Sequence, residues 1–209
     1  MGRPRQFDEA NLLDTAIELF WSKGFDDTSI EDVSLVTNVG NGSIYAAYGS
    51  KRGLFLAAFE RYCERRATFV RDTVLDGSGS ARSAVLTLFR AVIADCTAQP
   101  NRRGCLMINS IAALAGRIPE VAELGARTTA AMEQGVADRL RRAAPDDDTL
   151  VPALSAHIIL ICQGLIHSSR LGVPVRRLHE IAEISLATLP PAWADHVDAA
   201  ADTGTVHSR

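Results

Sequence analysis

The stretch from Thr28 to Gly53, TSIEDVSLVTNVGNGSIYAAYGSKRG, constrains this chain more than any other part of it. Thr28 followed by Glu31 is a helix-opening signal, in which the Thr side chain takes an orphan N–H and the Glu reaches back. Ile30, Val33 and Val36 then fall at helical spacing and predict one apolar face. Thr37-Asn38-Val39-Gly40 breaks that helix, because Asn38 and Gly40 both tolerate positive φ. A second short helix is predicted over Asn41–Ala47, with Ile44 as its one strong inward anchor and Asn41, Gly42, Ser43 and Ala46 small or polar. A short helix that buries so little of itself is held by its neighbours for presentation. That is the logic of a helix-turn-helix, whose second helix enters a DNA major groove.

The remaining segments also read as helices. Asp8 caps a first helix carrying Leu13, Ala16, Ile17 and Phe20, and Gly24 ends it. Ser50 caps a long fourth helix running to about Leu75, and Asp76–Ser80 is a break. A fifth helix is predicted from about Ala81 to Ala98, with Val85, Leu88, Phe89, Val92 and Ile93 as its stripe. Cys105–Ala115 is apolar nearly all round and predicts a short buried helix. Pro119 suits the first turn of a seventh helix reaching Ala143, with Arg139, Arg141 and Arg142 near the negative end of its dipole. Pro145–Asp148 is a loop, and two further helices cover about 150–171 and 176–189. The tail from Pro190 lacks a sustained apolar period, although Trp193 could dock. The fold class is therefore all-α with about nine helices. Its expected parts are a helix-turn-helix module over 1–50, a helical domain over 51–190 and a loosely ordered tail over 191–209.

Charge total does not announce a nucleic-acid partner. The net charge is −3, and residues 1–60 hold five Lys/Arg against nine Asp/Glu. DNA binding must rest on charge placement. Arg3 and Arg5 form an N-terminal arm, and Lys51 and Arg52 begin the helix after the presented one. The four cysteines, Cys63, Cys96, Cys105 and Cys162, have no C-x-x-C spacing, which argues against a zinc finger or a disulfide framework. The N-terminus has no apolar signal region, and the run from Ile158 to Ile166 is broken by Gln163 and Gly164. The expectation is a cytoplasmic protein with no membrane span, since that run reads as too short and too mixed to cross a bilayer.

Residues 3–59 resemble the DNA-binding domain of the tetracycline-repressor (TetR) family. The resemblance is carried by Arg3-Pro4-Arg5, Ala16 with Leu19-Phe20, Gly24-Phe25, Thr28-Ser29-Ile30, Val33 and Val39. It continues through Gly42-Ser43-Ile44-Tyr45, Gly49-Ser50-Lys51 and Leu54. There are departures: Asn38 stands where the family usually has Gly, Gly40 where Ser is common, and Asn41 where Lys is frequent. Ala47 and Tyr48 replace a His-Phe pair, so the phosphate contact often made by that His is not carried over.

The resemblance implies a ligand-responsive homodimeric transcriptional regulator, most simply a repressor, on a palindromic double-stranded operator. It implies that Asn41, Gly42 and Ala46 face bases, that Thr28, Ser43, Tyr45 and Lys51 contact phosphates, and that Arg3 and Arg5 reach backbone or minor groove. It further implies dimerisation through the helices at about 150–171 and 176–189. A small-molecule effector would tilt the fourth helix, which joins the two domains. The alternative is a helical enzyme or small-molecule carrier with a vestigial helix-turn-helix.

No catalytic set, phosphate loop, metal site or cofactor motif stands out. His157 and His167 lie ten residues apart and out of register, and His179 with Glu183 reads as an exposed helix pair. Phe89, Met107, Ile108, Ile111, Met132 and Leu160 could line an effector cavity, with plain core as the alternative. Cys105 follows Arg102, Arg103 and Gly104 at a helix start, where cations and the helix terminus favour a thiolate. Against sensing stands ordinary burial of a small apolar side chain, which is the reading expected.

Overall fold

The computed structural model describes residues 7–76, 79–143, 149–187 and 189–190. Arg3, Arg5, the Pro145–Asp148 loop, part of the Asp76–Ser80 break and the tail with Trp193 lie outside the described residues. Within them every regular element is helical. The order is α1 (Glu9–Lys23), α2 (Ile30–Thr37), α3 (Asn41–Tyr48), α4 (Lys51–Leu75), α5 (Ala81–Ala98), α6 (Leu106–Leu114), α7 (Pro119–Ala143), α8 (Val151–Arg170) and α9 (Val175–Leu186). A 3-10 turn occupies Pro100–Arg102.

The chain forms two compact units. The first holds the residues through Arg66 together with Cys105–Thr128, and the second holds Ala67–Gly104 with the residues from Thr129 onward. Helices α4 and α7 each run through both.

In the first unit, α1 begins where Asp8 accepts from the Asn11 N–H at 3.1 Å and ends where the Gly24 N–H donates to the Phe20 carbonyl. Its buried face is Leu12, Leu13, Ala16, Ile17 and Phe20. Phe20 meets Phe55 edge-on at 5.1 Å, Phe25 meets the same ring at 5.1 Å, and Phe55 stacks on Phe59 at 5.6 Å. Such pairs add specific geometry to apolar burial, so they fix the angle between α1 and α4. Below them Trp21 packs edge-on against Tyr62 at 5.2 Å.

The cap of α2 differs from expectation by one residue. Ser29, not Thr28, accepts from the Asp32 N–H at 3.0 Å, and Asp32, not Glu31, takes the Ser29 N–H at 2.8 Å. The physical reason is burial of Thr28, whose hydroxyl donates to the Gly24 carbonyl at 2.7 Å at the end of α1. Val36 is a second correction: Ile30 and Val33 are buried, but Val36 is 66% exposed. Each step of three residues lags a full turn by about 60°, so Val36 stands about 120° from Ile30 and beyond the contact face. Helix α6, expected to be buried, is also less enclosed than its composition suggests. Leu106, Met107, Ser110 and Leu114 are buried, while Ile108 and Ile111 are half-buried and Ala112 and Ala113 exposed.

In the second unit α5 supplies the core, with Val85, Leu88, Phe89, Val92 and Ile93 all buried as the stripe predicts. It packs against α8 and α9. Arg139, near the end of α7, is buried, and its Nη2 donates to the Gly79 carbonyl. By length and composition α8 is apolar enough to cross a bilayer, which corrects the expectation of too short and mixed a run. One face of it, including Ile158, Ile159, Cys162 and Leu165, is buried, while Leu160 is 62% exposed.

Candidate nucleic-acid interface

Helix α3 stands on a narrow footing. Ile44 is its one fully buried residue, and Gly42, Ser43, Tyr45 and Ala46 are exposed. The turn before it works through Asn38, which adopts the left-handed conformation at φ 57°, ψ 26°; Asn does this more readily than other residues with a Cβ. Gly40 does not use its freedom: it is extended, at φ −60° and ψ 141°. No side chain caps the first turn of α3, although the Ser43 N–H donates to the Gly40 carbonyl at 2.9 Å. Asn41 is half-buried, and its Oδ1 has no protein partner.

Two glycines hold the far end of α3. Gly49 closes the helix at φ +74° and donates its N–H to the Tyr45 carbonyl at 2.8 Å. Gly53 lies in the first turn of α4, where a Cβ would stand 2.0 Å from the Tyr48 carbonyl oxygen. The start of α4 therefore runs directly against the end of α3. Ser50 caps α4, accepting from the Gly53 N–H at 3.1 Å. The added hydroxyl of Tyr48 finds a partner, donating to Glu9 Oε1 at 3.1 Å in the first turn of α1. Side-chain packing, a glycine contact and a cross-helix hydrogen bond together set the angle at which α3 is presented.

The expected phosphate contacts divide. Ser43 and Tyr45 lie on the open face. Thr28 does not: it is 1% exposed, and its single hydroxyl proton is committed to internal carbonyls, so its side chain has nothing to donate to a phosphate. The Lys51 ammonium donates to the Asp26 carbonyl at 3.1 Å and sits 4.6 Å over the Phe25 ring, leaving two of its three N–H donors.

The acidic excess of the first sixty residues is partly offset by pairing. Asp14 holds Arg61 at 2.8 Å and Arg65 at 2.7 Å, and these guanidinium contacts, Arg61 foremost, draw its pKa down to about 2 despite some burial. Asp32 is lowered to about 2, first by the Ser29 N–H and then by Lys23 at 3.0 Å. Asp26 is held below the usual carboxylate range by Arg117. Counting the whole first unit, ten Lys/Arg stand against twelve Asp/Glu, a smaller imbalance than five against nine. Sequence reading missed Gly53, Asp26 and Arg117. Gly53 meets Tyr48 across the α3–α4 junction, and the Asp26–Arg117 contact joins stretches 91 residues apart that no local spacing links.

The effector candidates also separate. Cys105 and Met107 are buried in the first unit with half-buried Ile108 and Ile111, and Phe89 and Met132 are buried in the second. Leu160 is a correction, because its exposure places it on the outer face of α8 instead of in a core. Cys105 Sγ accepts from the Tyr62 hydroxyl at 3.3 Å, and that hydroxyl in turn accepts from the Leu106 N–H at 3.2 Å. Burial pushes the Tyr62 phenol well above its ordinary range and the Cys63 thiol up to about 12.

Residues 12–58 match the family model described as bacterial regulatory proteins, tetR family. The chain is 31% identical over 194 residues to the HTH-type transcriptional repressor ComR of Escherichia coli (strain K12), covering 90% of this chain and 92% of that protein. This chain belongs to the TetR family. It is a transcriptional regulator and not an enzyme, in keeping with its relatives. An uncharacterized HTH-type regulator of Bacillus subtilis (strain 168), YezE, is 28% identical over 90% of this chain and 100% of its own. Among solved structures, the TetR family regulator CifR, a cysteine-substituted form in complex with 26-bp double-strand operator DNA, is 30% identical with a TM-score of 0.74. That match covers 90% of this chain and 100% of CifR. A TetR regulator from Legionella pneumophila shares the fold at 17% identity and a TM-score of 0.72.

Proposed function

We propose that the protein is a cytoplasmic, homodimeric repressor that binds a palindromic operator and releases it when a small molecule binds. The observation that carries the reading is the outward face of α3: Gly42, Ser43, Tyr45 and Ala46 are exposed around one buried anchor, Ile44. CifR, related over nearly its whole length, is seen on operator DNA. In this reading residues 1–50 read DNA and 51–190 dimerise and respond to the effector. Gly42 and Ala46 lie against bases, and Asn41 brings the one amide able to both donate and accept at a base edge. Ser43, Tyr45 and the remaining donors of Lys51 take phosphates, the open N-terminus of α3 adds backbone N–H groups, and Arg3 and Arg5 extend along the backbone or minor groove. With so few polar readers, DNA shape supplies part of the specificity.

The dimer face is α8 with α9. Leu160 is 62% and Ile184 69% exposed, and a Cβ on Gly164 would meet nothing within 4 Å, so a second copy has an apolar, unobstructed surface to cover. A two-fold axis then sets two recognition helices about 34–36 Å apart, one turn of DNA. The effector acts on the 105–128 segment, where Ile108 and Ile111 are apolar and half-buried beside Met107 and Cys105. Phe89 and Met132 serve the core of the second unit. Titrating the protein into a fluorescent duplex from upstream of its own gene tests the reading. Saturable binding that survives excess nonspecific DNA supports it, and binding indistinguishable from nonspecific DNA refutes it.

A further inference from the structure

Asp26, in the turn between α1 and α2, is gripped from two directions. Arg117 takes both carboxylate oxygens, Nη1 to Oδ2 at 2.8 Å and Nη2 to Oδ1 at 2.7 Å, while Lys51 takes the carbonyl at 3.1 Å. Arg117 lies 91 residues away, in the turn joining α6 to α7. That turn is itself well fixed, since the Arg117 and Ile118 N–H groups both donate to the Leu114 carbonyl and Ile118 is buried. Two more pairs tie α4 to α7: Arg52 with Glu120 and Glu60 with Arg127. Read along the chain, Asp26 and the α4 residues Arg52 and Glu60 meet Arg117, Glu120 and Arg127 in turn. The signs alternate and match, so a shift by one site would set like charges together. All six side chains are substantially exposed. Exposed pairs contribute little to stability. What an alternating set fixes is register.

We infer that Arg117 is a positioning residue for operator binding: through Asp26 it sets the placement of the α1–α2 turn and of Lys51, and makes the α6–α7 turn move with the DNA-reading helices. The inference rests on the proposed function, because Lys51 and α3 must face the operator for the latch to matter. An effector acting on the 105–128 segment then has a direct route to the α1–α2 turn through the Asp26 carboxylate, beside the pairs that segment makes with α4. Asp26 is the junction.

The test is a charge swap in the full-length chain: Arg117→Asp, Asp26→Arg and the two combined. Simple attraction to DNA predicts opposite effects, since Arg117→Asp makes the protein more acidic and Asp26→Arg makes it more basic. The latch predicts that both single variants weaken specific operator binding, by about fivefold or more, and that the swap recovers it to within about twofold. Thermal midpoints should stay close to wild type throughout. In the free protein, amide hydrogen exchange at residues 26–29 and 114–118 should quicken together in each single variant and return in the swap. Tighter operator binding by Asp26→Arg, or a swap that recovers neither affinity nor exchange, overturns the inference. If the wild type binds no operator, the functional reading falls instead, and the exchange pattern alone decides whether the two turns are coupled.

Discussion

Replacing Gly53 with alanine sets two effects of opposite sign against each other. In an ordinary helix interior the change stabilises by about 1 kcal/mol, because alanine loses less backbone entropy. Here the new Cβ would lie 2.0 Å from the Tyr48 carbonyl oxygen, and an ordinary contact needs about 3.4 Å. Either the start of α4 or the end of α3 must give way by about 1.4 Å. The end of α3 cannot retreat cheaply, since Gly49 caps it through the Tyr45 carbonyl and Tyr48 is tied to Glu9. Overpacking of this kind costs about 1–3 kcal/mol, so the expected net effect is a loss of up to about 2 kcal/mol. For a chain of this length that lowers the thermal midpoint by a few degrees. Because the displaced atoms end the recognition helix, specific operator affinity should fall by more than the stability loss explains at a temperature where both proteins are folded. Thermal unfolding followed by circular dichroism, with operator titration at 20 °C, measures both. A raised midpoint with undiminished operator affinity would refute the close-approach argument.

Other perturbations follow from the same geometry. Tyr62→Phe removes the acceptor of the buried Leu106 N–H and the donor to Cys105, and should cost about 1–3 kcal/mol in denaturant unfolding; an unchanged midpoint would mean that water replaces the hydroxyl. All four cysteines are buried, so native protein should react slowly with a thiol reagent and unfolded protein fully; rapid selective labelling of Cys105 with loss of the operator complex would make it a sensor. The depressed Asp14 carboxyl stabilises the folded state at neutral pH, and this contribution is lost as pH falls from about 4 toward its folded value of about 2. Asp14→Asn should flatten that acid limb slightly, the pair being partly exposed; an identical acid profile contradicts the assignment. Gly164→Arg places a long charge on the open face of α8 and should give monomers in sedimentation together with lost operator binding; a stable dimer moves the interface elsewhere.

Most helix positions were legible because their ends carry local chemistry: Asp8, Ser50 and Pro119 mark starts that the structure reproduces within a residue. The cap of α2 was not, because Thr28-Ser29 and Glu31-Asp32 offer two overlapping boxes and only the burial of Thr28 chooses between them. An apolar stripe likewise cannot say where it stops, which is why Val36 was assigned to a face that α2 does not bury. Leu160 failed for a related reason: on a helix whose apolar residues extend beyond one face, spacing does not separate core from outer surface. The presented face of α3 was readable, since its residue types leave Ile44 as the only anchor. The Asp26–Arg117 junction was beyond sequence reasoning, because it joins two exposed charges across 91 positions and no periodicity links them.

The claim that the outward face of α3 reads the operator is tested most directly by Ala46→Glu. Ala46 is exposed and outside the core, so the variant should keep the wild-type thermal midpoint and oligomeric state. A carboxylate there would face the bases or the phosphate backbone and cannot be accommodated without repulsion. Titration of both proteins against the wild-type operator at one fixed salt concentration should show at least a tenfold loss of specific affinity, about 1.4 kcal/mol. Unchanged specific affinity in a folded variant would mean that α3 does not enter the groove.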